Sequence, residues 1–196
     1  MTTDRSTNHR LLVIDDNRAI HDDFRKILGE ADPLAAAEAR LFGKPEATAF
    51  EIDVALQGAD GLSLVQQANR DGRPYAMAFV DVRMPPGWDG VETTRRLWEA
   101  DPDLQIVICT AHSDYSWNEL TDVLGQPDRL LILKKPFDAV EVLQLANSLT
   151  EKWRLLQQTR GSMANLETLV NERTERLQRE VAERIQIEAA LRESQQ

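Results

Sequence analysis

Leu11-Leu12-Val13-Ile14-Asp15-Asp16-Asn17 is the stretch that decides the fold. Four consecutive apolar residues suit a central strand covered on both faces, because an exposed face would demand alternation with polar residues. The run ends abruptly in two carboxylates. The same pattern recurs three times downstream. Residues 75–80 are apolar and end at Asp81, 104–109, apolar but for Gln105, end at Thr110, and 130–133 end at Lys134-Lys135-Pro136. Residues 50–55 alternate and read as a second strand in chain order.

Helical patterns fill the gaps. Ile20, Phe24, Ile27 and Leu28 share one face of a helix over 18–28 that Gly29 ends. Residues 61–69 and 91–100 read as further helices, the latter with Leu97 and Trp98 inward and stopped by Asp101-Pro102-Asp103. Residues 114–124 read as a helix closed by Gly125, and a last helix starts at Asp138. Five strands alternating with helices imply parallel crossovers and helices on both sheet faces, an α/β doubly wound fold. Residues 35–42 allow an extra helical turn or two before Gly43-Lys44-Pro45 breaks the pattern.

In such sheets ligands bind at the carboxyl ends of the strands. Asp15, Asp16, Asp81, Thr110 and Lys135 all follow strand ends, which gathers three carboxylates, a hydroxyl and an ammonium at one edge. Three close carboxylates repel one another and call for a divalent cation. One of them, so placed, can become a phosphate ester.

Composition narrows the alternatives. The 196 residues carry a formal charge of −10 and a pI near 4.8, which opposes general nucleic-acid binding and adhesion to anionic lipid. From Glu151 onward 8 acidic residues balance 8 basic ones, so the excess negative charge lies in residues 1–150. Cys109 is the single cysteine, so no disulfide forms within the chain, as suits a reducing cytoplasm. Its place in a strand run reads as a small buried hydrophobe. Residues 1–9 read as a disordered N-terminal segment without a signal peptide, and no apolar stretch approaches the ~20 residues of a membrane span.

After Trp153 the pattern changes. Met163, Val170, Leu177 and Leu191 fall on a seven-residue spacing, with Leu166 and Ile187 three residues beyond such positions. Val181 and Ile185 add a stutter, and Arg184 weakens the seam. Glu172-Arg176, Glu175-Arg179, Glu180-Arg184 and Glu188-Arg192 are i,i+4 pairs with the acid first. Such a helix lacks a core of its own and needs a partner helix, most simply a second copy; the plainer reading is a lone solvated helix. Gly161 either ends the last domain helix or sits in it as a flexible joint at a cost of ~1 kcal/mol.

Val13-Ile14-Asp15-Asp16-Asn17, Asp81-Val82-Arg83-Met84-Pro85 with Asp89-Gly90, Thr110-Ala111 and Lys135-Pro136-Phe137 together resemble the receiver domain of bacterial two-component response regulators. The resemblance covers residues 10–150, followed by a coiled-coil helix over 151–196. It implies a flavodoxin-like sheet of order 2-1-3-4-5. It implies Asp81 as the phosphoacceptor, served by the phosphohistidine of a histidine kinase or phosphotransfer protein or by a small phosphodonor. Mg²⁺ would be held by Asp15, Asp16, Asp81 and the backbone carbonyl of Arg83. Lys135 would set a positive charge on the phosphoryl oxygens, aimed by a cis peptide at Pro136. Thr110 would move to hydrogen-bond the phosphoryl group, and the small Ala111 leaves room for it. Taken singly the residues have bland readings: Asp15 as a helix N-cap, Thr110 as a β-branched strand residue, Lys134 and Lys135 as solvated charges. His9, His21 and His112 have no metal-site spacing and take no chemical role.

Three departures stand out. The stretch from Asp16 to Asp81 is longer than the family's usual one, with the excess in 29–50. Ile132 stands where the family carries an aromatic ring that swings on phosphorylation. Arg83 and His112 occupy positions that tune phosphoryl lifetime in the family, and two bulky basic groups there predict slow self-dephosphorylation. The leading reading is therefore a phospho-accepting receiver that signals through a dimeric coiled coil over 162–196 to an output domain outside this chain. That final helix resembles linkers leading into sensor, histidine-kinase or diguanylate-cyclase domains, and the chain reads as a regulatory fragment, not a stand-alone enzyme. A second reading is a phosphate-independent dimerisation module with a relic site. An aspartyl-phosphate hydrolase fails, because Asp15-Asp16-Asn17 offers no Asp-x-Asp pair.

Overall fold

The computed structural model describes residues 8–29, 49–111, 123–125 and 128–194, with side chains through residue 182. Its apolar runs form five strands: β1 (Arg10–Ile14), β2 (Glu51–Ala55), β3 (Met77–Asp81), β4 (Gln105–Thr110) and β5 (Leu130–Lys134). They pair in parallel in the order β2-β1-β3-β4-β5. The helices described are α1 (Arg18–Gly29), α2 (Gly58–Arg70), α3 (Gly90–Ala100) and α4 (Ala139–Ser194).

A strand turns successive side chains to opposite faces, and that divides the apolar runs into two cores. Leu12, Ile14, Ala78, Val80, Ile106 and Ile108 meet Val65 and Ala68 of α2 and Leu97 of α3. Leu11, Val13, Met77, Phe79, Val107 and Cys109 meet Phe24 and Leu28 of α1 and Val142, Ala146 and Leu149 of α4. Phe24 is the hub of this second core, with ring centroids 4.5 Å from Phe79 and 5.1 Å from Phe137. β1 and β3 are buried almost throughout because helices cover both faces, which is why their sequence does not alternate. Cys109 is buried, as its setting in the apolar run suggests.

The structure adjusts several local expectations. The fully buried stripe of α1 is His21, Phe24 and Leu28, while Ile20 and Ile27 pack only partly against the core. α2 starts three residues before the apolar pattern does, at Gly58, because a glycine there lets the helix end close on α3; a Cβ would sit 2.1 Å from Thr93 Oγ1. Gly161 does not end α4, which runs through it. Gly125 follows helical residues 123–124 with φ +59°, a left-handed conformation that favours glycine. The helical turns at 35–42, His112 and the rest of the helix expected at 114–124 lie outside the described residues.

The chain divides into two compact units, 1–154 and 155–196. In the second, Met163, Leu166, Leu169, Val170, Leu177 and Val181 are all more than half exposed. Glu175 pairs with Arg179 at 3.8 Å, and Arg176 pairs forward with Glu180 at 3.0 Å. The side chains of Arg184, Ile185, Ile187, Glu188, Leu191 and Arg192 lie outside the described residues. No helix among the described residues is long and apolar enough to cross a membrane.

Candidate functional site

The register lines up the strand ends. Ile14 stands beside Val80, so Asp15 emerges next to Asp81; Asp81 stands beside Cys109, and Thr110 beside Lys134. Strand order reverses between β1 and β3, and the crevice at such a switch point is where α/β sheets bind ligands. Backbone bonds hold the ends in place: Asp15 N–H donates to Ala55 (3.1 Å), Val82 N–H to Cys109 (3.1 Å) and Lys135 N–H to Thr110 (2.8 Å).

Asp15, Asp16 and Asp81 each offer a carboxylate oxygen within 4.8 Å of the others. Asp15 is buried and Asp81 nearly so, whereas Asp16 faces solvent. Lys135 Nζ lies 2.7 Å from both Asp15 Oδ2 and Asp81 Oδ1, spanning 120 and 54 residues of chain. The Lys135-Pro136 peptide is cis. Each carboxylate also accepts a local backbone bond, Asp15 Oδ1 from Asn17 N–H (2.9 Å) and Asp81 Oδ2 from Arg83 N–H (3.2 Å). Thr110, buried at the end of β4, turns its hydroxyl to the carbonyl of Ala111 at 2.9 Å.

Burial pushes the Asp81 carboxyl above the usual carboxylate range, and the Lys135 ammonium pulls it only part of the way back. Burial pulls Lys135 down, but hydrogen bonds and charge from Asp15 and Asp81 outweigh it and hold the amine above its ordinary value. The lysine therefore stays charged at neutral pH between two acids. Burial pushes the Cys109 thiol far up, so it is not a nucleophile at neutral pH.

The donor set fits a hard, oxygen-seeking divalent ion. Three carboxylates converge, one of them open to water, and no imidazole or thiolate joins them among the described residues. Asp15, Asp16, Asp81 and the carbonyl of Arg83 would hold Mg²⁺, and one water-facing side suits an ion that keeps part of its hydration shell. Asn17, not Asp15, caps α1: its Oδ1 accepts from Ala19 N–H at 3.0 Å. An Asn just ahead of a helical pattern is the sequence signal for that role, and it leaves Asp15 for the pocket. A cavity of about 750 Å³ beside β2, lined by Arg18, His21, Arg25 and Asp60 among others, does not reach these carboxylates.

The fold and this strand-end cluster define a receiver of the doubly wound kind, and comparison with known proteins agrees. The family model for the response regulator receiver domain matches residues 40–147, more than half of the chain. The chain belongs to the response regulator receiver family of two-component systems. That match begins downstream of β1 and α1, yet the sheet contains β1 with Asp15 and Asp16 beside it. The chain is 28% identical over 143 residues to response regulator MprA of Mycobacterium sp. (strain KMS), covering 73% of this chain and 51% of that protein. It is 35% identical over 81 residues to the C4-dicarboxylate transport transcriptional regulatory protein DctD of Rhizobium meliloti (strain 1021), 41% of this chain and 17% of that one. The chain thus spans about half the length of the MprA relatives it matches. Among solved structures, adenylate cyclase from Rhodopirellula baltica shares the fold with TM-score 0.60 at 18% identity, over 80% of this chain and 98% of that one. A CheY-like receiver domain protein from Methanospirillum hungatei JF-1 does so with TM-score 0.53 at 19% identity, over 74% and 94%.

Proposed function

We propose that this chain accepts a phosphoryl group on Asp81 from the phosphohistidine of a histidine kinase or phosphotransfer protein, in a Mg²⁺-dependent step. The observation that carries the reading is the Lys135 ammonium, 2.7 Å from both Asp15 and Asp81 within a cluster of three carboxylates. An Asp81 oxygen forms the new P–O bond, the P–N bond breaks, and the electron pair leaves on the imidazole, which takes up a proton. Mg²⁺, when bound, neutralises the phosphoryl oxygens as negative charge moves onto Asp81. Lys135 already stands beside Asp81 and supplies a second positive charge to those oxygens. Thr110 has a local acceptor, the Ala111 carbonyl, and exchanges it for a phosphoryl oxygen.

The receiver spans residues 10–150, and its output passes through a homodimeric coiled coil over 162–196 to a further domain, in a cytoplasmic protein. The exposed apolar residues Met163, Leu166, Val170, Leu177 and Val181 support that pairing, since a helix leaving them in water gains by covering them. The test is mass spectrometry after acetyl phosphate and Mg²⁺, wild type against Asp81→Asn, with oligomeric state recorded in parallel. One phosphoryl group on the wild type and none on the variant is the expected outcome. Dimers that form while Asp81 takes no phosphate would instead favour a phosphate-independent dimerisation module.

A further inference from the structure

Gln57 stands at the N-cap of α2 with extended backbone, φ −139° and ψ 153°, and its side chain caps nothing. Glutamine is a poor choice there; Asn, Asp, Ser and Thr are the residues whose side chains reach back to the first helical N–H groups. Its carboxamide goes elsewhere. Nε2 donates to the carbonyl of Pro85, 28 residues on, at 3.4 Å. Oε1 is buried without a hydrogen-bond partner among the described residues, and it packs on Gly87, where an added Cβ would lie 2.2 Å from it. Gln57 therefore reaches into the loop 82–89 that follows Asp81.

The same connection is tied to the other acidic loop, because the carbonyl of Ala55 accepts the backbone N–H of Asp15 at 3.1 Å. Residues 55–57 thus touch both segments that carry the carboxylates. Two glycines make the approach possible. A Cβ on Gly61 would lie 2.3 Å from Ile14 Cδ1, and one on Gly58 would meet Thr93. The loop has anchors of its own at Gly87 N–H to Met84 (3.1 Å) and Gly90 N–H to Val82 (2.8 Å). Between them, Pro85 is the carbonyl that Gln57 holds.

We propose that Gln57 is a positioning residue for the acidic site. It braces Pro85 and Gly87, and so holds Arg83, whose carbonyl joins the carboxylates in the reading above. The inference rests on that reading. The end of α2 goes uncapped so that the loop after Asp81 is fixed.

The test is Mg²⁺ titration of the full chain by calorimetry, with thermal unfolding measured alongside. Asn in Gln57→Asn is one methylene too short to reach Pro85 but is a good N-cap, so Tm holds or rises. The Mg²⁺ dissociation constant rises about threefold, the scale of one weak neutral hydrogen bond. Gly87→Ala pushes the carboxamide away from the other side and raises the constant by a similar factor. The double variant adds little to either single one, because both act on one contact. Equal Mg²⁺ affinity in wild type and Gln57→Asn overturns the proposal, and so does a Tm that falls with the affinity. A wild-type chain that takes no Mg²⁺ overturns the reading of the site instead.

Discussion

Replacing Lys135 with Met removes the cation that, among the described residues, bridges two buried acids. The ammonium lies 2.7 Å from Asp15 and from Asp81, whose side chains are 3% and 12% exposed, and is itself 23% exposed. At that distance, with an effective dielectric of ~20, Coulomb's law gives roughly 6 kcal/mol per contact. Desolvating the ions offsets several kcal/mol each, and a buried pair that loses one partner is typically destabilised by about 3–5 kcal/mol. Lys135→Met should therefore lower unfolding free energy by about that amount in EDTA near neutral pH, read by urea denaturation. Mg²⁺ should return part of the loss, because a bound cation compensates the same carboxylates.

The pH dependence has a definite sign. Lys135 is raised in the folded state, so its contribution is fully present below 10.5 and disappears as pH rises through the higher folded value. Asp81 is raised by burial, so the folded state prefers it protonated. Without the lysine that preference strengthens, and the deficit of the variant shrinks as acid neutralises Asp81. A deficit below ~1 kcal/mol in EDTA, well under the cost of orphaning a buried ion, would refute the reasoning. A deficit that is flat with pH, or indifferent to Mg²⁺, would do the same.

Phe24→Ala should cost about 3–5 kcal/mol, since the ring is fully buried against Phe79 and Phe137; a near-neutral urea midpoint would show that α1 is not anchored there. Burial raises the Asp101 carboxyl, which accepts Asp103 N–H at 3.0 Å. Asp101→Asn keeps an acceptor without the charge, so its Tm should exceed that of the wild type at neutral pH. The gap should close as pH falls through the raised folded value and below 3.8, where the wild-type acid is protonated in both states. Leu177→Glu places a charge at a 51% exposed apolar position and should yield monomers in analytical ultracentrifugation with the receiver's Tm unchanged; persistent dimers would put the pairing elsewhere. Phosphate on Asp81 should persist well beyond seconds at neutral pH with Mg²⁺, and rapid release would remove Arg83 and His112 as screening groups.

The strands and most helices are legible in the linear chain because their signals are local. A run covered on both faces is continuously apolar, and the acidic or basic residue that ends it lies next to it in sequence, so Leu11 to Asp16 already states both a central strand and a polar strand end. Positions where a distant contact decides are not legible in this way. His21 is buried although it is polar, because α1 rolls Phe24 between Phe79 and Phe137. Arg10 opens β1 instead of preceding it, since its guanidinium finds Asp53 at 2.8 Å and Tyr75 donates to the same carboxylate at 2.6 Å. α2 reaches back to Gly58 only because Thr93 of α3 closes on it.

From the chain alone follow the alternation of elements, their parallel pairing, and the kinds of group that stand at the strand ends. That Lys135 meets Asp15 across 120 residues, and that Gln57 leaves its own helix to hold Pro85, was decided only when the sheet closed in register. The reason is range. Hydrophobic patterning and dihedral preference are written among neighbours in sequence, whereas a bridge from Lys135 to a buried carboxylate 120 residues away exists only where tertiary packing has brought the two strand ends together.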